Sequence, residues 1–351
     1  MGEHLAAVLT ERGSIGLRRV STPRIGPLDV LVRVLATGIC GSDLATYRGS
    51  HPYKRPPVVL GHELCGVVEQ VGAEVADLRP GALVCSAAFS PCDSCAQCAR
   101  GATNLCPDRE NLCHLGWDGS FAELVLLRRN MVFELPDGID PEAGAMAEPL
   151  SIAAHAARLA GPLVERSVAV VGAGGIGLCC ALVARRHGAA SVVCTDLGPA
   201  KEELARRAGA TAYVDGLEGG PCDGVLAELP DGADVTFVAS GHTGALDQAA
   251  GVTRLGGTVV VVSYFDRPHE FSANPLVSAE LSVRFSALST AEDFREVIGW
   301  LATGELDPTP LISHRYQLAE AAAAMEALGT QRGVGKVMMR CDGGRAERST
   351  A

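Results

Sequence analysis

The segment Gly172-Ala173-Gly174-Gly175-Ile176-Gly177 restricts the fold of this chain more than any other. It follows the short apolar run VAVVG (168–172) and opens IGLCCALVARRHG, a helix-like stretch. A lone G-x-G-x-x-G is weak evidence, but the strand–turn–helix setting gives it a physical meaning. The first glycine permits a tight turn. Gly174 lets the backbone approach a pyrophosphate, and Gly177 lets helix and strand pack closely. The helix N-terminus then offers free N–H groups to phosphates. Further apolar runs follow at SVVCTD (191–196), DVTFVAS (234–240), TVVVVSY (258–264) and SVRFSA (282–287). Helix candidates lie at 201–208, 245–253 and 292–304. Strands alternating with helices predict an α/β, doubly wound parallel sheet.

Asp196 ends the second of these runs, nineteen positions after Gly177. An acidic side chain there accepts hydrogen bonds from ribose hydroxyls and repels a 2′-phosphate, which favours NAD over NADP. Lys201 is a nearby cation that partly offsets this repulsion.

The first half of the chain reads differently. PLDVLVRVLAT (27–37), 57–60, 64–71, LVCSAAF (83–89) and FAELVLL (121–127) are short strand candidates separated by Gly and Pro, which suggests a β-rich, barrel-like domain. The character changes after Pro149, where SIAAHAARLAG (151–161) is Ala-rich and helix-like. Near the C-terminus one helix and then VGKVMMR, a strand, need not belong to the nucleotide sheet. The polar tail DGGRAERSTA (342–351) is expected to fray.

Four cysteines, Cys92, Cys95, Cys98 and Cys106, read C-x2-C-x2-C-x7-C in a loop-like segment. A thiolate cage of this kind suits a closed, four-coordinate zinc that pins a loop. Upstream, GICGSD (38–43) and GHELCGVVEQVG (61–72) supply Cys40, His62 and Glu63, all good zinc-ligand types. A catalytic zinc keeps one position open and needs a third protein ligand. Glu148 in AMAEPLS is the candidate, while Glu63 reads as a ligand or an outer base.

The chain has 351 residues, 47% hydrophobic and 20% charged, with a formal net charge of −11. That balance disfavours a general nucleic-acid or anionic-membrane surface. The N-terminus has no apolar core of a signal peptide. No stretch approaches the roughly 18 uninterrupted apolar residues of a membrane span. Thirteen cysteines in a chain of this kind read as metal ligands and packing residues in a reducing, cytoplasmic setting rather than as disulfides. Cys65, Cys85, Cys179, Cys180, Cys194 and Cys222 read as small buried hydrophobes.

Taken together, GHE-x2-G-x5-G, the four-cysteine loop and G-x-G-x-x-G resemble, in order and spacing, the zinc-dependent medium-chain dehydrogenase/reductase family of alcohol and polyol dehydrogenases. The resemblance runs from about residue 20 to 340. A-EPLS and PLISHRYQL-A resemble the sorbitol, threonine and butanediol dehydrogenase branch. It implies a GroES-like β-barrel catalytic domain (1–152), a Rossmann domain (153–289) and a return to the catalytic domain (290–351). It implies catalytic zinc on Cys40 and His62, completed by Glu148 or Glu63, with Asp43 orienting His62. Ser42 would take the substrate hydroxyl proton. Cys92, Cys95, Cys98 and Cys106 would hold structural zinc. Gly172, Gly174, Gly175, Ile176, Gly177, Asp196 and Lys201 would hold NAD. A homodimer or homotetramer is implied as well.

Two departures bear on mechanism and substrate. Many relatives carry a relay histidine two positions after the aspartate of C-G-[ST]-D, where this chain has Ala45. His51 could substitute through a moved loop, though a solvated loop histidine or a water relay serves as well. The Arg-Tyr pair that meets sugar hydroxyls in sorbitol dehydrogenases is absent from RFSALSTAEDF (284–294). Tyr47, His51, Tyr53, His114, Trp117 and Phe265 are candidate pocket residues by loop position. The leading expectation is oxidation of a secondary alcohol on a polyol, cyclitol or amino-polyol. The alternatives are a vicinal-diol or amino-alcohol dehydrogenase and a catalytically silent nucleotide-binding protein.

Overall fold

The C-terminal half folds around six strands, of which the central ones are apolar on both faces. A computed structural model of the chain describes residues 2–341 apart from 219, 266, 267 and 269. The tail expected to fray lies outside the described residues. The six strands are Ser167–Val171, Ser191–Asp196, Ala212–Asp215, Ala233–Val238, Thr253–Val261 and Ser282–Phe285. All pair in parallel. Their order across the sheet is third, second, first, fourth, fifth, sixth. Val168, Ala169, Val170, Val192, Cys194 and Phe237 are buried, as β-branched and apolar runs covered on both faces must be. The order reverses beside the first strand, and the glycine turn leaves its C-terminal end at that crevice.

The fifth strand starts earlier than the apolar run at 258 suggests. Residues 253–257 carry no apolar alternation, and the pairing shifts register between Ala233 and Val235. Gly256 takes a positive φ of 68° within this irregular stretch, a geometry that glycine adopts freely.

The first half forms a seven-stranded sheet built on Asp29–Gly38 and Glu63–Val71, with a separate three-stranded sheet from the N-terminus. Two elements were not legible in the sequence. The hairpin Glu3–Glu11/Ser14–Ser21 buries His4, Ala6, Ala7, Leu9 and Ile15, and its one apolar run, Leu5 to Leu9, is too short to tell strand from helix. The strand Ile312–Gln317 is mostly polar and half-buried. It pairs in parallel with Lys336–Arg340, which in turn pairs antiparallel with Asp29–Gly38. The chain's end thus returns to the first sheet.

The boundary expected at residue 152 falls inside a helix, Ala147–Ala160. Pro149 is tolerated there because the first turn of a helix has no partner for its N–H groups. This helix packs against Ala291–Thr303 through a buried polar network. His155 Nδ1 lies 3.0 Å from Asp293 Oδ2, and Arg158 Nε donates to Asp293 Oδ1 at 2.9 Å. Asn104 in the cysteine loop lies 3.2 Å from His155 Nε2 and donates to the Ala287 carbonyl at 2.9 Å. One aspartate therefore ties the cysteine loop, the crossing helix and the end of the nucleotide sheet.

Burial alone would raise the Asp293 carboxyl. Hydrogen bonds from His155, Thr290 and Arg158 override it and hold the pKa at about 2. A depressed carboxylate contributes stability above its unfolded value of about 3.9 and loses it as pH falls through the folded value. The shift corresponds to about 2 kcal/mol. Asp293→Asn is expected to be less stable than the parent at neutral pH by about that amount. The gap should close between about pH 4 and pH 2 in denaturant unfolding.

Candidate metal centre and nucleotide turn

Cys40 precedes the short helix Gly41–Tyr47, and Asp43 in its first turn accepts from the Cys40 backbone N–H at 3.0 Å. The other Asp43 oxygen accepts from Gly61 N–H at 3.3 Å. A completely buried aspartate thus joins the two segments that carry Cys40 and His62. The ligand atoms of Cys40, His62 and Glu63 all lie within 4.8 Å of one another. His62 Nδ1 faces Asp43 Oδ1 at 3.7 Å, which leaves Nε2 for a metal. Burial would lower the His62 pKa, but the facing Asp43 carboxylate raises it well above the ordinary value. Asp43 is itself held far below the carboxylate range despite burial, by His62 and then by Lys54.

Glu63 is buried and pairs through Oε1 with Lys336 Nζ. Its Oε2 has no hydrogen-bond partner. An orphaned carboxylate oxygen beside a thiol and an imidazole fits a divalent metal of zinc type. Glu148 does not join the group within 4.8 Å. It sits on the first turn of Ala147–Ala160, fully buried, and desolvation pushes its carboxyl up to about 7. The opposing pull of His62 and push of Glu63 place it within electrostatic reach of the cluster.

Gly38 makes room for the Glu63–Lys336 pair. A Cβ there would collide with Glu63 Oε2 and crowd Lys336 Cε at 3.1 Å. Lys336 also reaches the nucleotide turn, with its Cδ 3.7 Å from where a Cβ on Gly175 would stand. In the turn, Gly172 has φ 99°, and a Cβ on Gly177 would overlap the Gly172 carbonyl oxygen. Nothing lies within 4 Å of where a Cβ on Gly174 would project, so the space needed by a phosphate is open. Gly174 caps the helix Gly175–Arg186, which contains Ile176. Asp196 Oδ2 accepts from Ala173 N–H at 2.9 Å and Oδ1 from Leu197 N–H at 2.7 Å. These bonds fix the carboxylate at the turn. Lys201 is half-buried and donates to the Val334 carbonyl, so its charge is tied to the loop before the last strand.

The four sulfurs of Cys92, Cys95, Cys98 and Cys106 also lie within 4.8 Å of one another. Three pairs are 3.6, 3.9 and 4.0 Å apart. A tetrahedron with Zn–S of about 2.3 Å has edges of about 3.8 Å, so the cage fits zinc. Backbone and hydroxyl donors of Ser94 hold the Cys92 thiol down at about 6, whereas desolvation and its sulfur neighbours push Cys98 up to about 12, so Cys92 is the thiolate available first to a metal. By contrast, burial pushes Cys65, Cys179 and Cys194 up to about 12. Cys222 is only half-buried.

The candidate pocket residues separate into groups. His51, Tyr53 and His114 form an edge-to-face aromatic cluster with centroids 4.6 and 4.8 Å apart. His51 Nδ1 accepts from the backbone N–H groups of Tyr53 and Lys54, and burial lowers its pKa to about 4. Tyr47 instead donates to the Gly13 carbonyl. Trp117 donates to the Leu126 carbonyl and lies under Arg128. Phe265 packs on the nucleotide lobe beside Val171, Val238 and Leu246. These three serve packing. Sequence reading missed Lys54, Cys113 and Lys336. Cys113 forms a second group within 4.8 Å with Asp43 and His62, yet it follows the cysteine loop with no ligand spacing of its own. Lys336 had no signal beyond a strand.

A metal-type cluster that shares a lysine with a dinucleotide turn defines the frame of a nicotinamide-dependent oxidoreductase. Residues 26–137 match the alcohol dehydrogenase GroES-like domain, and residues 175–303 match the zinc-binding dehydrogenase domain. L-idonate 5-dehydrogenase of Vitis vinifera is 31% identical over 91% of this chain and 89% of its own length. Sorbitol dehydrogenase of Bacillus subtilis is 31% identical over 92% of each. A solved zinc-binding dehydrogenase of Sinorhizobium meliloti, bound to NADP, has a TM-score of 0.88 and 34% identity, covering 97% of this chain and all of the other. The chain belongs to the zinc-dependent medium-chain dehydrogenase family. It is a zinc-type dehydrogenase with a GroES-like domain and a Rossmann-type domain. No helix among the described residues is long and apolar enough to cross a membrane.

Cys98→Ser is expected to remove one zinc equivalent per chain by elemental analysis and to lower the thermal midpoint. A metal content equal to the parent's would argue against the four-sulfur site.

Proposed function

We propose that the protein oxidises a secondary alcohol of a polyhydroxylated substrate with NAD, using one catalytic and one structural zinc. The observation that carries this reading is Lys336, whose stem lies against Gly175 while its ammonium pairs with Glu63. It places the nucleotide turn and the Cys40–His62–Glu63 cluster side by side. A substrate carbinol at the cluster would then lie next to the nicotinamide. Relatives named for sorbitol and L-idonate support a polyol.

Cys40, His62 and Glu63 would hold the catalytic ion, with Glu148 close enough to replace Glu63 after a side-chain movement. When bound, zinc supplies Lewis acidity that lowers the pKa of a coordinated hydroxyl. Asp43 keeps the His62 ring aimed by facing Nδ1. Ser42 would take the substrate hydroxyl proton. The glycine turn and the helix N-terminus after it hold the pyrophosphate. Asp196, already oriented by two backbone N–H groups, accepts from the ribose hydroxyls and opposes a 2′-phosphate. A bound nicotinamide would supply the hydride acceptor, and the chain's own residues would supply its orientation.

Following nicotinamide absorbance with NAD and NADP across polyols, cyclitols, amino-polyols, vicinal diols and simple alcohols tests the reading. NAD reduction by polyhydroxylated substrates supports it. Turnover confined to diols moves the substrate to the smaller class. Silence in zinc-replete protein leaves a nucleotide-binding protein.

Ser42→Ala is expected to reduce kcat by about 10²-fold or more, the range for a lost proton-transfer group. His51→Ala should stay within a few-fold, because both the low pKa and the two donors on Nδ1 disfavour proton acceptance. A loss in His51→Ala as large as in Ser42→Ala would restore that histidine as the relay.

The partner with the best support is a second copy of the chain. The outer strand Ser282–Phe285 ends the six-stranded sheet, with Phe285 70% and Val277 74% exposed. An unpaired apolar edge invites pairing. Sedimentation should give a dimer or tetramer, and Phe285→Glu should shift it toward monomer.

A further inference from the structure

Lys54 is the buried charge that the mechanism above does not use. It lies on the loop between the His51–Tyr53–His114 rings and the strand Val58–Val59, which leads directly to Gly61 and His62. The residue is only 7% exposed. Its backbone is fixed on both sides. The Lys54 N–H donates to His51 Nδ1 at 3.1 Å, and its carbonyl accepts from the Arg55 guanidinium at 2.8 Å. Yet its ammonium has no carboxylate within 4.0 Å and no hydrogen-bond partner among the described residues. It is also absent from the buried polar atoms sealed from solvent without a partner. The stem is therefore buried, and the ammonium keeps slight contact with solvent.

Burial disfavours the ammonium, but Cys113, Asp43, Cys40 and then Tyr53 outweigh it and hold the Lys54 pKa above its ordinary value. Three of these belong to the metal cluster. None of them is in a direct hydrogen bond or close ion pair with the ammonium. Asp43 already serves Cys40 N–H, Gly61 N–H and His62, and a metal would take the charge of Cys40. Cys113 donates to the Gly61 carbonyl at 3.4 Å. An ammonium beside the metal cluster with no direct partner of its own is placed to take one from a substrate.

We propose that Lys54 recognises an anionic group on the polyol, so that the substrate is a sugar acid or a polyol phosphate rather than a neutral polyol or amino-polyol. This rests on the proposed alcohol oxidation for its location and not for its test. An ammonium–anion bond in a sheltered site is worth about a 10- to 100-fold gain in affinity. It also weakens as salt is added, unlike the binding of a neutral ligand.

The test measures dissociation constants by calorimetry in zinc-loaded protein saturated with NADH. The ligands are a hexonate, the matched hexitol, its phosphate ester and an amino-hexitol. The parent is expected to bind the hexonate or the phosphate about 10- to 100-fold more tightly than the hexitol, with the amino-hexitol weakest. The better of the two anions identifies its source. In Lys54→Met the anion-to-hexitol ratio should collapse toward one, while Lys54→Arg keeps most of it. Zinc content and thermal midpoint show whether each variant is intact. Equal binding of hexitol and both anions by the parent overturns the proposal even if Lys54→Met does not fold. So does a Lys54→Met variant that weakens all ligands alike. Lys54-dependent anion binding without turnover of any alcohol would sink the proposed oxidation and leave this recognition standing.

Discussion

The buried pair of Glu63 and Lys336 holds the two halves of the site in register. Glu63 comes from the strand that follows His62, and Lys336 from the strand that closes the chain 273 residues later. Both strands flank Asp29–Gly38, and only a glycine at 38 leaves space for the pair. Removing one partner of such a pair strands the other charge in a medium that solvates it poorly, at a cost of about 3–5 kcal/mol. The pair therefore fixes the carboxylate beside Cys40 and His62. It also draws the last strand under the nucleotide turn.

A second polar knot performs the same task at the opposite side of the crossing helix. Asp293 gathers His155, Arg158 and Thr290, and His155 passes the connection to Asn104 within the cysteine loop. A loop rich in cysteine and small polar residues buries little apolar surface. Its position depends on its sulfur cage and on this chain of hydrogen bonds. The nucleotide lobe differs, since its parallel strands are held by continuous apolar burial on both faces. Polar fastening is concentrated where the lobes meet, and apolar packing within them.

Charge in the site follows the same economy of partners. Asp43 and Asp293 each have named donors, which hold their carboxyls down against burial. Glu148 has no such donor and its carboxyl rises to about 7. Among the described residues, Lys54 is a buried cation with no direct partner. The electrostatic pull of Cys113, Asp43 and Cys40 separates it from the surface lysines and arginines.

The sequence by itself determined the nucleotide lobe, because β-branched runs and a glycine turn are local patterns with few folded outcomes. It also determined the four-sulfur cage, whose ligands lie within fifteen residues. It pointed to Cys40 and His62 together through spacing that resembles a family's, and the structure brings their ligand atoms within 4.8 Å. It left the third corner open between Glu63 and Glu148, since adjacency to His62 and a place on a distant helix are equally readable in one dimension. Lys54, Cys113 and Lys336 carried no motif. What they do depends on contacts across tens to hundreds of residues, which follow from strand order and from the return of the last strand to the first sheet. Hydrophobic periodicity records which face of an element is buried. It does not record which charged groups are brought together once the faces close, and that pairing only the tertiary structure decided.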